Sequence, residues 1–305
     1  MYTETPKQGI YSPNALRYGL TPSSISPTDL ATETSTLLAA MSSQPNSPTQ
    51  TIIDNTIKML KGQNINGFNP TGINFWANHI DAMWWALHDD QSSRLNWKSP
   101  GTHTLSKVNS PSFVAFEGFT GNGTNQALDT TTLVPITNTT FHTRDAGSFG
   151  AYSRSNADEA KQSMGARHSS GGSPFLYLGM YSSTWAGGGS RTSHNDNGSA
   201  VNTGPVANSS GLFISSRATS ASHRLSKNGV NYGGDIVKSA AGTVPNLSLM
   251  MLCYHSSAGS GGGADFSSKQ HAGYFIGGHM TDAQQLVLSN ILNGYLMTQF
   301  GKNVY

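Results

Sequence analysis

Hydrolysis of a glycosidic bond needs two carboxylates flanking the scissile linkage. The chain has only four glutamates, Glu4, Glu33, Glu117 and Glu159, and none lies near another in sequence. Asp89 and Asp90 are adjacent at the end of a Trp-rich stretch, and the other aspartates are dispersed. Ten histidines occur without a His-x-x-x-His or Cys-His spacing, so no zinc site is readable and no metal or cofactor is expected. The glycine clusters AGGGS and GGGADF lack the strand-to-helix context of a phosphate loop and read as loops. His194-Asn195-Asp196-Asn197-Gly198 carries oxygen ligands but lacks the spacing and terminal Glu of a calcium loop, so it reads as a turn. The single cysteine, Cys253, sits in the apolar run SLMMLCY and reads as a buried small hydrophobe.

One polar stretch stands apart. TWAGGGSRTSHNDNGS (184–199) places Trp185 among hydrogen-bonding side chains. Sugars stack on aromatic faces while polar groups set their orientation. Tyr181, Trp185, Arg191, Asn195 and Asp196 are therefore the candidate carbohydrate-binding residues, on loops expected to face outward. The competing reading is that Trp185 closes over the core at a strand end.

These residues need a scaffold, and past Lys98 the chain consists of short apolar runs between Gly, Ser and Asn clusters, the pattern of antiparallel strands in a sandwich. Strands are expected at 112–117, 125–129, 149–154, 174–181, 211–217, 222–227, 230–233, 247–254 and 271–277. In the run 174–181, Leu176, Leu178 and Met180 would face one way and Phe175, Tyr177 and Tyr181 the other. Asn228-Gly229 marks a hairpin. Thr281 and Gln284 form a capping box that opens a closing helix, with Gly301 as its stop. Before the strands, the spacing of Ile52, Ile53, Ile57 and Leu60 predicts a helix over 51–62. The stripe Trp76, Ile80, Met83, Trp84 and Leu87 predicts a second helix. Residues 1–50 hold six prolines and one helix-compatible stretch near 29–41, and cannot make a core of their own.

Charged residues make up 11% of the chain and the net charge is +2, which leaves no electrostatic footprint for nucleic acid. No run approaches 18 apolar residues, so no membrane insertion is expected, and the N-terminus lacks secretory-signal architecture.

FTGNGTNQALDTTTLVPI (119–136), FGAYSRS (149–155), GLFISSR (211–217), the Asn228-Gly229 hairpin and GYFIGGHMTDAQQLVLSNILNGYL (273–296) resemble the concanavalin A-like, laminin G-like jelly-roll domains of tailed-bacteriophage virion proteins. WANHIDAMWWALHDDQSSRLNW through SPGTHTLSKVNSPSFVAFEGF resembles the lead-in of those proteins, so the resemblance covers roughly 70–305. It implies a mainly β, antiparallel jelly-roll sandwich with an N-terminal extended arm, short N-terminal helices and a C-terminal helix. The organisation expected is a Pro-rich arm over 1–50 docking on partner subunits, a helical connecting segment over 51–103 and the sandwich over 104–305. The implied function is a non-enzymatic virion structural protein, a decoration, fibre or tail-associated subunit. It would be assembled in host cytoplasm, homo-oligomeric, in contact with other capsid or tail subunits and able to bind host-surface glycan. The alternative is a glycoside hydrolase or other polysaccharide-degrading enzyme on the same fold. Sandwich glucanases present Glu-x-Asp-x-x-Glu on one strand face, a motif this sequence lacks.

Overall fold

The computed structural model describes residues 30–170, 174–185, 188–196, 201–203, 208–256 and 262–304. In chain order its elements are α1 (Thr32–Ala39), α2 (Ser47–Leu60), α3 (Phe75–Asn78), β1 (Ile80–Trp85), α4 (Asp90–Ser93), β2 (Ser106–Val108), β3 (Ser112–Val114), β4 (Gly118–Thr120), β5 (Ala127–Asp129) and α5 (Pro135–Asn138). They continue with β6 (Gly147–Ser153), β7 (Met164–Arg167), β8 (Phe175–Ser182), β9 (Gly189–Asp196), β10 (Val201–Asn202), β11 (Gly211–Arg217), β12 (Ser222–Lys227) and β13 (Val230–Val237). The last are β14 (Met250–Met251), β15 (Tyr254–His255), β16 (Gly263–Ala264), β17 (Gln270–Gly277), α6 (Asp282–Ser289) and a π-helical continuation, Asn290–Met297.

Among the described residues the strands form an antiparallel sandwich of two sheets and no closed barrel. The first sheet runs β13-β12-β11-β6-β17-β4-β3, with β1 also paired to β17. The second runs β10-β9-β8-β7-β14-β5-β2, with β15 beside β7 and β16 beside β15. The hairpin forms as its sequence dictates: Asn228 and Gly229 both take positive φ, 53° and 78°, which suits the twist of the strands they join. The capping box at Thr281 and Gln284 is present with both of its hydrogen bonds.

The central strands of the first sheet are buried on both faces. Along β1, Ala82 and Trp84 enter the core between the sheets, while Met83 and Trp85 enter a second core beneath the helices. Along β11, Phe213 faces the sandwich interior and Leu212 and Ile214 face the helices. The molecule thus has three layers: helices, first sheet, second sheet.

This layering corrects the helix expected through Trp76–Leu87. Its start is the one-turn α3, but Ile80–Trp85 is a strand inside the first sheet. A strand apolar on both faces has no period-2 alternation, so spacing alone does not separate it from a buried helix. The expected helical connector over 51–103 accordingly contains a strand of the sandwich. Where the arm is described, it lies against the rest of the chain: α1 contributes Leu37 and Leu38 to the helix-side core, and Met41 joins them. Buried Asp54 ties α1 to α2, accepting hydrogen bonds from the Ala31 amide and the Thr34 hydroxyl, both at 2.8 Å, and pairing with Lys58 at 2.6 Å. Residues 1–29 lie outside the described residues. Among those described, no helix is long and apolar enough to cross a membrane.

Candidate functional site

The outward face of the second sheet holds three of the five sequence-predicted residues. Leu176, Leu178 and Met180 of β8 are fully buried between the sheets, which turns Phe175, Tyr177, Gly179 and Tyr181 outward. The absence of a side chain at Gly179 matters here, because a Cβ would lie 2.3 Å from Cη2 of Trp185. Trp185 therefore closes over its strand and keeps only 9% of its surface exposed, a lid rather than a free stacking platform. On β7, a Cβ at Gly165 would crowd those of Tyr177 (2.7 Å) and Tyr254 (2.9 Å), so glycine lets both tyrosines converge above it. The rings form a row: Phe175 to Tyr177 at 5.7 Å and Tyr177 to Tyr254 at 5.8 Å between centroids. Arg191 of β9, opposite Gly179, places its guanidinium 5.9 Å from the Tyr177 ring centre. Phe175, Tyr181, Arg167, Arg191 and Tyr254 are half-buried and line this face.

Asn195 and Asp196 go elsewhere, which corrects their assignment to an outward loop. The turn expected at 194–198 is strand as far as Asp196, and both residues have no exposed surface. Asn197 and Gly198 lie outside the described residues. Asp196 lies inward beside a bulge in the β8–β9 pairing and forms an ion pair with the fully buried Arg217 of the first sheet. Arg217 also donates to the carbonyls of His194 (2.7 Å), Thr219 (3.0 Å) and Lys238 (3.1 Å), so its charge is fully partnered. Asn195 takes the left-handed φ of 58° and donates to the Thr143 carbonyl at 3.1 Å. Around them sit three buried imidazoles. His142 stacks on His194 at 5.3 Å with planes 7° apart, and His194 lies 6.0 Å from His223. Burial lowers His142 to about 4 and drives His194 well below its ordinary value, so both are neutral. This network bridges the sheets, and its partners are too far apart in sequence for any spacing rule to find.

A cleft of about 520 Å³ opens where the β12–β13 hairpin and the end of β11 meet the start of α6. Arg224 stands at its mouth between two carboxylates, hydrogen-bonded to Asp235 on β13 and to Asp282 of α6 at 2.9 Å. The hydrogen bond from Arg224 holds the Asp235 carboxyl below its usual range. Ser216 and His279 also line the cleft, with Ser216 Oγ 3.0 Å from His279 Nδ1. This pair is not an activated nucleophile. The Ser216 oxygen already accepts from the Ser148 hydroxyl at 2.8 Å and the Met280 amide at 3.0 Å, so neither lone pair is free to attack. Sequence reasoning missed this cleft: its two aspartates are separated by 47 positions, and only the packing of α6 on the hairpin joins them. Among the described residues no cluster of three or more His, Cys, Asp or Glu could hold a metal ion. Cys253 is fully buried, and burial pushes its thiol up, as an inert core residue requires.

No family model and no curated protein matches the sequence. Solved structures align with parts of the chain. A Trypanosoma rangeli sialidase mutant displaying trans-sialidase activity aligns over 81% of this chain and 39% of its own, at 11% identity and a TM-score of 0.48. Trypanosoma rangeli sialidase in complex with the inhibitor DANA aligns over 70% and 32%, at 12% identity and a TM-score of 0.44. Domain 4 of a GH43 extracellular arabinanase from Geobacillus stearothermophilus, in complex with arabinotriose, aligns over 68% and 86%, at 11% identity and a TM-score of 0.36. The chain spans about a third of the length of the sialidases. These neighbours are carbohydrate-active enzymes or a domain of one, and they give no phage link. The expectations of a virion structural protein and of a chain without enzymatic activity are corrected accordingly: nothing found supports either. The sandwich is read from this chain's own strand pairing, and what it binds rests on its own side chains.

Proposed function

We propose that this chain is a carbohydrate-active β-sandwich that holds a glycan along the outward face of its second sheet. The observation that carries the reading is the row Phe175, Tyr177 and Tyr254 with Arg191 over its centre, continued along β8 to Tyr181. Aromatic rings bind the C–H faces of sugars, and a guanidinium beside them donates directional hydrogen bonds. A glycan array with the full chain tests it. Binding is expected to depend little on salt, because the contact is mainly apolar and hydrogen-bonded. Tyr254→Ala and Arg191→Ala are each expected to weaken binding about tenfold, the worth of about 1.4 kcal/mol, with the thermal midpoint nearly unchanged. An array on which nothing binds, or binding indifferent to both substitutions, refutes the assignment.

A second reading, glycoside hydrolysis, is favoured by the cleft, which brings Asp235 and Asp282 to opposite sides of Arg224. Asp235, held deprotonated by Arg224, suits the base or nucleophile, with Asp282 as the facing carboxylate. Release of reducing ends from a bound oligosaccharide, abolished by Asp282→Asn while array binding persists, is the expected signature.

A further inference from the structure

We infer that the cleft beside α6 selects a neutral sugar unit and rejects acidic ones. The inference rests on the carbohydrate reading, though not on the second-sheet face, which is built from other strands. Its volume, about 520 Å³, lies within the range of small-molecule sites, roughly 300–1,000 Å³. Among the described residues its one lining cation, Arg224, stands between Asp235 and Asp282. An approaching ligand carboxylate therefore meets two carboxylates beside one guanidinium, and the lining carries one more negative charge than positive. The three side chains are half-exposed, at 43%, 51% and 46%, and hold one another in place. Preorganised carboxylate oxygens accept hydrogen bonds from vicinal hydroxyls and repel a carboxylate.

Deeper in the fold, His223 also lines the cleft, and its side chain is fully buried. Its Nδ1 faces the Arg217–Asp196 pair at 3.2 and 3.4 Å, and its Nε2 is buried with no partner in the protein. A buried ring nitrogen without a partner is costly unless a ligand or solvent completes it. A sugar hydroxyl can do so whichever ring nitrogen bears the proton, since a hydroxyl both donates and accepts. Arg217 lies behind this ring but is neutralised by Asp196, so it offers no attraction to an anion. Ala283, exposed at the start of α6, supplies a small apolar contact for the C–H face of a sugar ring.

The test uses the full chain and saturation-transfer NMR. The probes are the methyl pyranosides of glucose, galactose, mannose and xylose, set against methyl glucuronide, methyl galacturonide and N-acetylneuraminic acid. At least one neutral glycoside is expected to bind in competition with Asp282→Asn-sensitive contacts, and every acidic probe at least tenfold more weakly at low salt. In the Asp235→Asn, Asp282→Asn double variant the gap should shrink below threefold. Both positions are half-exposed, so the variant should remain folded, as a thermal melt would show. Acidic probes that bind as well as neutral ones overturn the inference, as does the absence of any probe from the cleft. Array binding that survives such a result, and is lost in Tyr254→Ala, leaves the second-sheet reading standing and removes only this one. Cleft binding without array binding does the reverse.

Discussion

Arg217 and Asp196 show how a single buried ion pair joins the two halves of a sandwich. Both lack exposed surface, and each charge is tolerated only because the other, with the carbonyls of His194, Thr219 and Lys238, completes it. Removing one partner leaves the other uncompensated. Arg217→Met is therefore expected to cost about 3–5 kcal/mol in urea denaturation, and a loss below 1 kcal/mol would show that the pair is dispensable. The neighbouring histidines give the same region a pH dependence. His142, lowered by burial to about 4, is neutral in the folded chain while an unfolded histidine titrates near 6.5. Between these values the unfolded state binds more protons, so the stability this burial preserves is complete above about pH 6.5 and declines as pH falls towards 4. The loss is about 3 kcal/mol for this one group across that window. His271, lowered to about 3 by burial and then by the Lys269 charge, acts in the same direction and extends the decline further into acid. Urea midpoints at pH 7 and pH 4.5 should differ clearly, and His142→Gln should narrow the difference. A midpoint that is flat across this range contradicts the assignment.

Among the elements, the β12–β13 hairpin and α6 are coupled directly. Gly229 takes a φ of 78° at the tip, and a Cβ there would stand 2.4 Å from Cα of Leu286 in α6. Gly229→Ala should therefore strain the turn and push the helix away. A loss of about 2 kcal/mol is expected, more than the ~1 kcal/mol of a left-handed alanine alone. A smaller loss, at or below the turn cost, would mean that the helix yields freely. Thr281→Ala, which removes the cap hydrogen bond to the Gln284 amide, should cost about 1 kcal/mol. Both changes lie at the edge of the cleft, so weakened sugar binding is expected alongside the lower thermal midpoint. These elements were legible in sequence because their signals are local: an Asn-Gly pair needs only its own backbone, and a capping box spans four residues. The expected strand 211–217 matches β11, and 222–227 matches β12, for the same reason. β9 was not legible. Its residues Ser190, Thr192 and His194 point inward but are polar, so no apolar alternation announces a strand whose interior partners are Ser215 and Arg217.

The whole molecule depends on a sheet with two cores, one on each side. Trp85, fully buried beneath the helices, donates its indole N–H towards Met297 Sδ at 3.1 Å and packs on Tyr152 at 5.8 Å. Trp85→Ala should cost about 3–5 kcal/mol and loosen the helical layer, including the cleft wall made by α6. Near-UV circular dichroism and a thermal melt would register both effects. A variant as stable as the parent would show that the helices are accessory. The amino-acid sequence by itself determined the class of fold, because polar turn clusters between short apolar runs admit little besides an antiparallel sandwich. It also determined most strand positions, the hairpin and the capped closing helix, each set by interactions between near neighbours. Only the tertiary structure decided that Ile80–Trp85 is a strand, that Trp185 closes over Gly179, that Asp196 meets Arg217 inside the molecule, and that Asp235 and Asp282 share one cleft. The physical reason is the same in each case. Burial on two faces erases the periodicity by which a strand is recognised, and a buried charge or a shared cavity is defined by partners that only the crossing of the sheets and the packing of the last helix bring together.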